Sequence, residues 1–262
     1  MGKFKIACHL IQFVNREKEE PEWVLDNVAE AGYDGVEGFG PQTPEELVQV
    51  AMLAAERGLH LINVGAPTPE LKLQWNVTLG NAAAETPACW KNKFGGQNPT
   101  AADFATAAAT LADTIALSKK YHVKPFHHAH LGTMIETRED AQKMLEAAPG
   151  LELLLDTGHL TACGADALEV LWDHKDRIGH VHLKDFWADD PASWTWPGSK
   201  FGDEGRFKEL GDGNMGLDLP GILKALEEIG YDGWIAVELD RATIPVEQAA
   251  KKNRDYLRSL GY

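Results

Sequence analysis

The residues best suited to chemistry in this 262-residue chain are its histidines and the carboxylates that fall at the ends of apolar runs. The stretch FHHAHLGT (126–133) puts His127, His128 and His130 within four positions, and LLLDTGHL (153–160) ends an apolar run in Asp156 and follows it with His159. In HVHLKD (180–185), His180, His182 and Lys184 stand two apart, so in a strand all three side chains leave one face. WIAVELD (234–240) ends its apolar residues in Glu238, and GYDGVEGF (32–39) ends a short run in Glu37 in the same way. Burying such a carboxylate is costly unless it is paired or binds a cation. Imidazole and carboxylate without thiolate suit a divalent ion of borderline or hard character: Mn, Co, Mg, Fe or Zn. Such an ion would polarise a ketone and acidify the neighbouring C–H, with a neutral His or ionised Glu as base and a second His or Lys as acid. The chemistry expected is therefore enolate chemistry.

Each of these residues also has a plainer reading. Asp156 or Thr157 could simply cap a following helix, Lys184 could solvate a rim, and a lone strand histidine is usually satisfied within the core. Gly158 permits the turn that presents His159 beside Asp156. For His9, in CHL (8–10), alternation leaves the orientation open.

What must position these side chains is an alternation of β-type and helical patterns along the whole chain. Strands are expected at 4–11, 35–38, 60–64, 76–79, 123–128, 151–156, 178–182 and 234–238. Helices are expected at 21–31, 44–57, 101–121, 138–147, 165–173, 220–229 and 245–259, several opening with proline or acidic residues in the first turn. GYDG occurs at 32–35 and again at 230–233, each time where a helix should stop at glycine and a strand begin. Eight such units in this length suit a single α/β domain over 1–262, a (β/α)8 TIM barrel, whose strand C-termini converge on one mouth. The chain has no G-x-G-x-x-G after its first strand and no P-loop. Two long loops, 80–100 and 186–218, would lie at the mouth. The second carries Trp187, Trp194 and Trp196, which could pack it down or form a lid or partner surface.

The motifs HHAHLGT, LLLDTGHL, RIGHVHLKD and GYDGWIAVELD, in this order and spacing, resemble the xylose isomerase-like barrel superfamily of sugar isomerases and epimerases, and within it the inosose (2-keto-myo-inositol) dehydratase branch of inositol catabolism. The resemblance implies a divalent metal, manganese first, held by Asp156, His182 and Glu238, with His128 standing where the family often has the glutamate of E-x-H. His127 and His130 are the alternatives at that position; by parity His127 faces the helix layer. It also implies substrate contacts for His130, His159 and Lys184, with Glu37 across the mouth; these four are expected to be catalytic, and His9, His180 and Trp187 to bind substrate. The activity implied is elimination of water or an alcohol from a keto-cyclitol or keto-sugar. β-Elimination from a 3-keto-glycoside with a small partner subunit on loop 186–218, aldose–ketose isomerisation or epimerisation, and a non-catalytic sugar-binding barrel are the alternatives.

Composition narrows the partners. A formal charge of -15, spread along the chain, disfavours nucleic acid and anionic membranes and suits a small polyhydroxy ketone. Cys8, Cys89 and Cys163 have no paired spacing, so neither a disulfide framework nor a thiolate zinc site is expected, and a reducing cytoplasm is. The basic start Met1-Gly2-Lys3 lacks a long apolar segment behind it, so no leader is expected. No run approaches the ~18–20 apolar residues of a membrane span. Assembly into a homo-oligomer is expected.

Overall fold

A computed structural model describes residues 4–262; the basic start at 1–3 lies outside the described residues. The strands are β1 (Lys5–His9), β2 (Gly35–Glu37), β3 (His60–Ile62), β4 (Ala83–Glu85), β5 (Lys124–His128), β6 (Glu152–Asp156), β7 (Ile178–Leu183), β8 (Asp185–Ala188), β9 (Gly205–Lys208) and β10 (Trp234–Val237). The helices are α1 (Arg16–Glu19), α2 (Pro21–Ala31), α3 (Pro44–Glu56), α4 (Pro69–Thr78), α5 (Ala101–Tyr121), α6 (Arg138–Ala147), α7 (Thr157–Ala162), α8 (Ala167–Asp173), α9 (Leu219–Glu228) and α10 (Val246–Ser259). Eight strands form one parallel sheet in the order β3-β2-β1-β10-β7-β6-β5-β4, curled into a (β/α)8 barrel. β8 and β9 make a separate antiparallel hairpin in the long loop after β7.

Period-2 alternation sorts the strand residues. Ile6, Cys8, Leu153, Leu155, Val181, Leu183, Ile235 and Val237 join the apolar layer beneath the helices. The alternate residues, which include Ala7, Leu154, His180 and Ala236, are also buried. They lead by two positions to His9, Asp156, His182 and Glu238, and by this spacing the polar residues reach the strand ends.

Among the described residues no backbone ladder joins β3 to β4, and side-chain amides bridge that seam. His60 Nε2 lies 3.0 Å from Asn81 Oδ1, while Asn81 Nδ2 donates to the Leu61 carbonyl at 3.0 Å. The Glu85 N–H donates to Asn63 Oδ1, also at 3.0 Å.

The strand expected at 76–79 is instead the end of α4. Thr68 caps that helix by accepting the Leu71 N–H and Pro69 occupies its first turn, a start signal stronger than the β-type residues Trp75 and Val77. The fourth strand is Ala83-Ala84-Glu85, three residues with little β propensity that hold their place through the register of Ala83 and Ala84 with Lys124 and Pro125. The first strand stops at His9, because the His9 side chain accepts the Ile11 N–H and caps a 3-10 turn over Leu10–Phe13. Both GYDG stretches do the same work: Gly32 and Gly230 adopt φ of 83° and 70° at helix ends, and β2 and β10 begin at Gly35 and Trp234. No helix among the described residues is long and apolar enough to cross a membrane.

Candidate active site

The strand ends bring His128, Asp156, His182 and Glu238 together, with one nitrogen or oxygen from each lying within 4.8 Å of the others. His128 Nε2 is 3.2 Å from Asp156 Oδ2, and His182 Nδ1 is 3.6 Å from the same oxygen. Both oxygens of Asp156 are engaged. Its Oδ1 accepts the His159 N–H at 2.8 Å and caps α7, while its Oδ2 faces the imidazoles. Burial would raise its pKa, but Lys184 and His159 hold it well below the usual carboxylate range.

His182 is oriented from behind. Its Nε2 is 3.2 Å from Glu37 Oε1, which can only accept, so this nitrogen carries a proton and Nδ1 turns toward Asp156 and Glu238. Burial disfavours charge on this ring, yet Glu238 and Glu37 raise its pKa well above the ordinary value. His182 Nδ1 and Glu238 Oε2 touch, and both are buried without a hydrogen-bond partner. A cation satisfies such a pair, and the donor set of two imidazoles and two carboxylates fits a divalent ion of borderline character.

Beside this cluster lies a second group. Lys184 Nζ is 2.7 Å from Asp240 Oδ1, 3.1 Å from Glu238 Oε1 and 3.0 Å from His159 Nε2, with no solvent exposure. Burial opposes its charge, but Glu238, Asp156 and Asp240 raise its pKa. His159 is pushed well below the usual imidazole range by burial and by Lys184. The rings of His130 and His159 lie 3.7 Å apart at 36°. His130 Nδ1 is 2.7 Å from the Leu131 carbonyl, which can only accept, so Nδ1 carries the proton and Nε2 the lone pair. Burial and His128 lower the His130 pKa, favouring the neutral ring.

Not every expected site residue joins these groups. Glu37 has both oxygens engaged inside the protein, Oε1 by Asn63 Nδ2 at 2.6 Å and by His182, Oε2 by His180 Nε2 at 2.8 Å. It therefore orients imidazoles, in place of the catalytic role expected across the mouth. His180 is buried and stacked on Phe126 at 4.9 Å, one alternation deeper than His182, and not where a substrate contact was expected. Trp187 pairs with Arg206, whose guanidinium lies 4.3 Å from its ring centroid. The opposite face of that hairpin presents Phe207, 4.7 Å from the His159 ring and 4.3 Å from Lys184 Nζ, so Phe207 is the aromatic that reaches the site. Trp187, expected to bind substrate, lies on the other face of the hairpin from Phe207. His9 turns toward the mouth, its ring 5.4 Å from that of His182. His127 lies apart from the cluster, with Nδ1 2.8 Å from Thr86 Oγ.

Sequence reasoning missed Asn63, Glu85, Asp240 and Phe207. Asp240 was legible by parity, two beyond Glu238, whereas Glu85 was hidden by the misplaced fourth strand. Of the loop tryptophans, Trp194 donates to the Ala162 carbonyl at 2.8 Å and Trp196 to Glu136 Oε1 at 2.7 Å, tying loop 186–218 down. In the other loop Trp90 sits edge-on to His130 at 5.7 Å.

Comparison with known proteins gives a consistent family. A family model described as a xylose isomerase-like TIM barrel matches residues 25–260. An inosose dehydratase from Clostridium perfringens is 33% identical over 168 residues, covering 60% of this chain and 54% of that protein. The chain spans about half the length of the curated relatives it matches. Among solved structures, a 3-keto-D-glucoside 4-epimerase from E. coli superposes with a TM-score of 0.73 at 18% identity, over 98% of this chain and 100% of that one. A probable 3-DHS dehydratase from Bacillus anthracis gives 0.73 at 15%, over 97% and 99%.

Proposed function

Since the chain belongs to the xylose isomerase-like TIM barrel family, we propose that it is a divalent-metal-dependent carbon–oxygen lyase that removes water or an alcohol from a keto-cyclitol or keto-sugar. The observation that carries this reading is the meeting of His128, Asp156, His182 and Glu238 beside the buried Lys184–His159–His130 group. Similarity to inosose dehydratase supports the substrate class.

In this reading His128, Asp156, His182 and Glu238 hold the ion, manganese first. When bound, it supplies Lewis acidity that polarises the substrate carbonyl. His130 Nε2, the free lone pair of a neutral ring, takes the proton from the carbon beside that carbonyl. The electron pair left on the substrate forms its enolate and then expels the β-oxygen. Lys184, the buried ammonium beside the cluster, gives that oxygen a proton, so that ketone becomes enone plus water or alcohol. His159, accepting from Lys184 Nζ, aims the ammonium, and Phe207 covers it on the hairpin side.

The test is turnover of manganese-loaded protein on 2-keto-myo-inositol and on 3-keto-glucosides, followed by absorption of the conjugated product. Absorbing product from either ketone supports elimination, and the ketone that reacts identifies the leaving group. Exchange of solvent deuterium into a ketose without any elimination would instead mark an epimerase. Full activity after metal stripping would sink the metal-dependent reading.

A further inference from the structure

His128 stands at a cluster position where a carboxylate would serve without any help in orientation. An imidazole there must have the correct nitrogen deprotonated and its ring held in plane. We propose that Glu85 is the positioning residue that lets an imidazole occupy that place, an inference that rests on the metal-site reading above.

Glu85 ends β4, and its Oε1 lies 3.3 Å from His128 Nδ1. This contact turns Nδ1 away from the cluster and points Nε2, the nitrogen 3.2 Å from Asp156 Oδ2, into it. The second imidazole of the cluster is arranged in mirror fashion: Glu37 takes Nε2 of His182, and Nδ1 faces inward. Each histidine thus has a carboxylate on the nitrogen turned away from the cluster.

Glu85 is itself held. Lys72 Nζ is 3.4 Å from its Oε2, and its backbone N–H donates to Asn63 Oδ1 at 3.0 Å. The other end of the same amide donates to Glu37 Oε1 at 2.6 Å. Asn63 therefore ties the Glu37 carboxylate to the Glu85 backbone at the seam between β3 and β4. Because Asn63 binds the Glu85 backbone, changes to the Glu85 side chain leave that seam intact.

A second carboxylate at position 128 would reverse the effect of Glu85, since two like charges at this distance repel. The experiment compares Glu85→Gln and Glu85→Ala in the natural protein and in the His128→Glu background, reading Mn2+ affinity by calorimetry, the visible spectrum of bound Co2+, and the thermal midpoint. With His128 present, both changes should weaken Mn2+ binding about 10- to 100-fold, less for Gln than for Ala, and alter the Co2+ spectrum. In the His128→Glu background the same changes should leave affinity unchanged or improve it. Equal loss in both backgrounds, or no loss with His128 present, overturns the inference while the metal site stands. If the natural protein takes up neither Mn2+ nor Co2+, the metal-site reading falls and this inference falls with it.

Discussion

Replacing Gly158 by Ala tests the placement of Lys184 with opposing forces of known sign. Gly158 lies in the short helix α7, where alanine would ordinarily stabilise by about 1 kcal/mol. A Cβ built there, however, would stand 2.5 Å from Lys184 Cγ, 2.8 Å from its Cβ and 2.9 Å from its Cδ. Ordinary contact begins at 3.4 Å, so the stem must retreat by about 0.9 Å. The backbone cannot absorb this, because the Thr157 hydroxyl accepts the Lys184 N–H at 2.9 Å and donates to the Lys184 carbonyl at 2.7 Å. Overpacking of this kind costs about 1–3 kcal/mol, leaving a net loss of about 0–2 kcal/mol once helix propensity is subtracted. The ammonium, shifted by a similar distance, would lose its contacts to His159, Asp240 and Glu238, and a misplacement of about 1 Å costs about 100-fold in rate. The assay is turnover of whichever ketone the protein accepts, beside urea unfolding and Mn2+ affinity. The expected pattern is a large fall in turnover and a small fall in stability, with Mn2+ still bound. A Gly158→Ala protein about 1 kcal/mol more stable than the natural one, with full turnover, would refute the account of Lys184.

Other outcomes follow from the same geometry. Saturating Mn2+ or Co2+ should raise the thermal midpoint, since about 2.7 kcal/mol is gained at 100-fold excess over Kd, and Asp156→Asn or Glu238→Gln should abolish the shift in a melting experiment. Metal affinity should climb with pH without levelling off at 9: Glu238 and Glu37 hold His182 well above its ordinary value, and although burial opposes charge on His128, its bonds to Asp156 and Glu85 push the ion-free pKa up to about 9, so below that pH the ion must displace a proton. Calorimetry in buffers of differing ionisation enthalpy would reveal that proton. Asn63→Ala should cost about 1–3 kcal/mol in urea unfolding, because it leaves the buried Glu37 and the Glu85 N–H each short of a partner. His130→Ala should retain metal affinity and lose turnover; if turnover survives, the base lies elsewhere.

Much of the fold was legible because barrel strands have a strong local signature. Apolar runs such as LLLD and WIAVE alternate with helices that announce themselves by Thr, Asp or Pro at their starts. Where the local signal was weak the reading failed: β4 is Ala-Ala-Glu, and its strand conformation comes from pairing with β5, not from its own residues. That error also concealed Glu85. Apolar runs ending in a polar residue marked Asp156, His182 and Glu238 as strand ends, while their grouping with His128 came from the family resemblance. The hairpin from Asp185 was not foreseen, and its register sets Phe186 and Phe207 on one face and Trp187 and Arg206 on the other.

By itself, then, the sequence determined which residues arrive at the mouth: strand ends, side-chain period and the placement of Gly158 are written within a few residues of each position. Only the tertiary structure decided what each of them faces. The nitrogen that His182 turns inward depends on Glu37, 145 positions away, and the setting of Lys184 depends on Asp240, 56 positions on. These distances along the chain are closed by curling eight strands into one barrel. A hydrogen bond that forms only on closure leaves no trace in local periodicity.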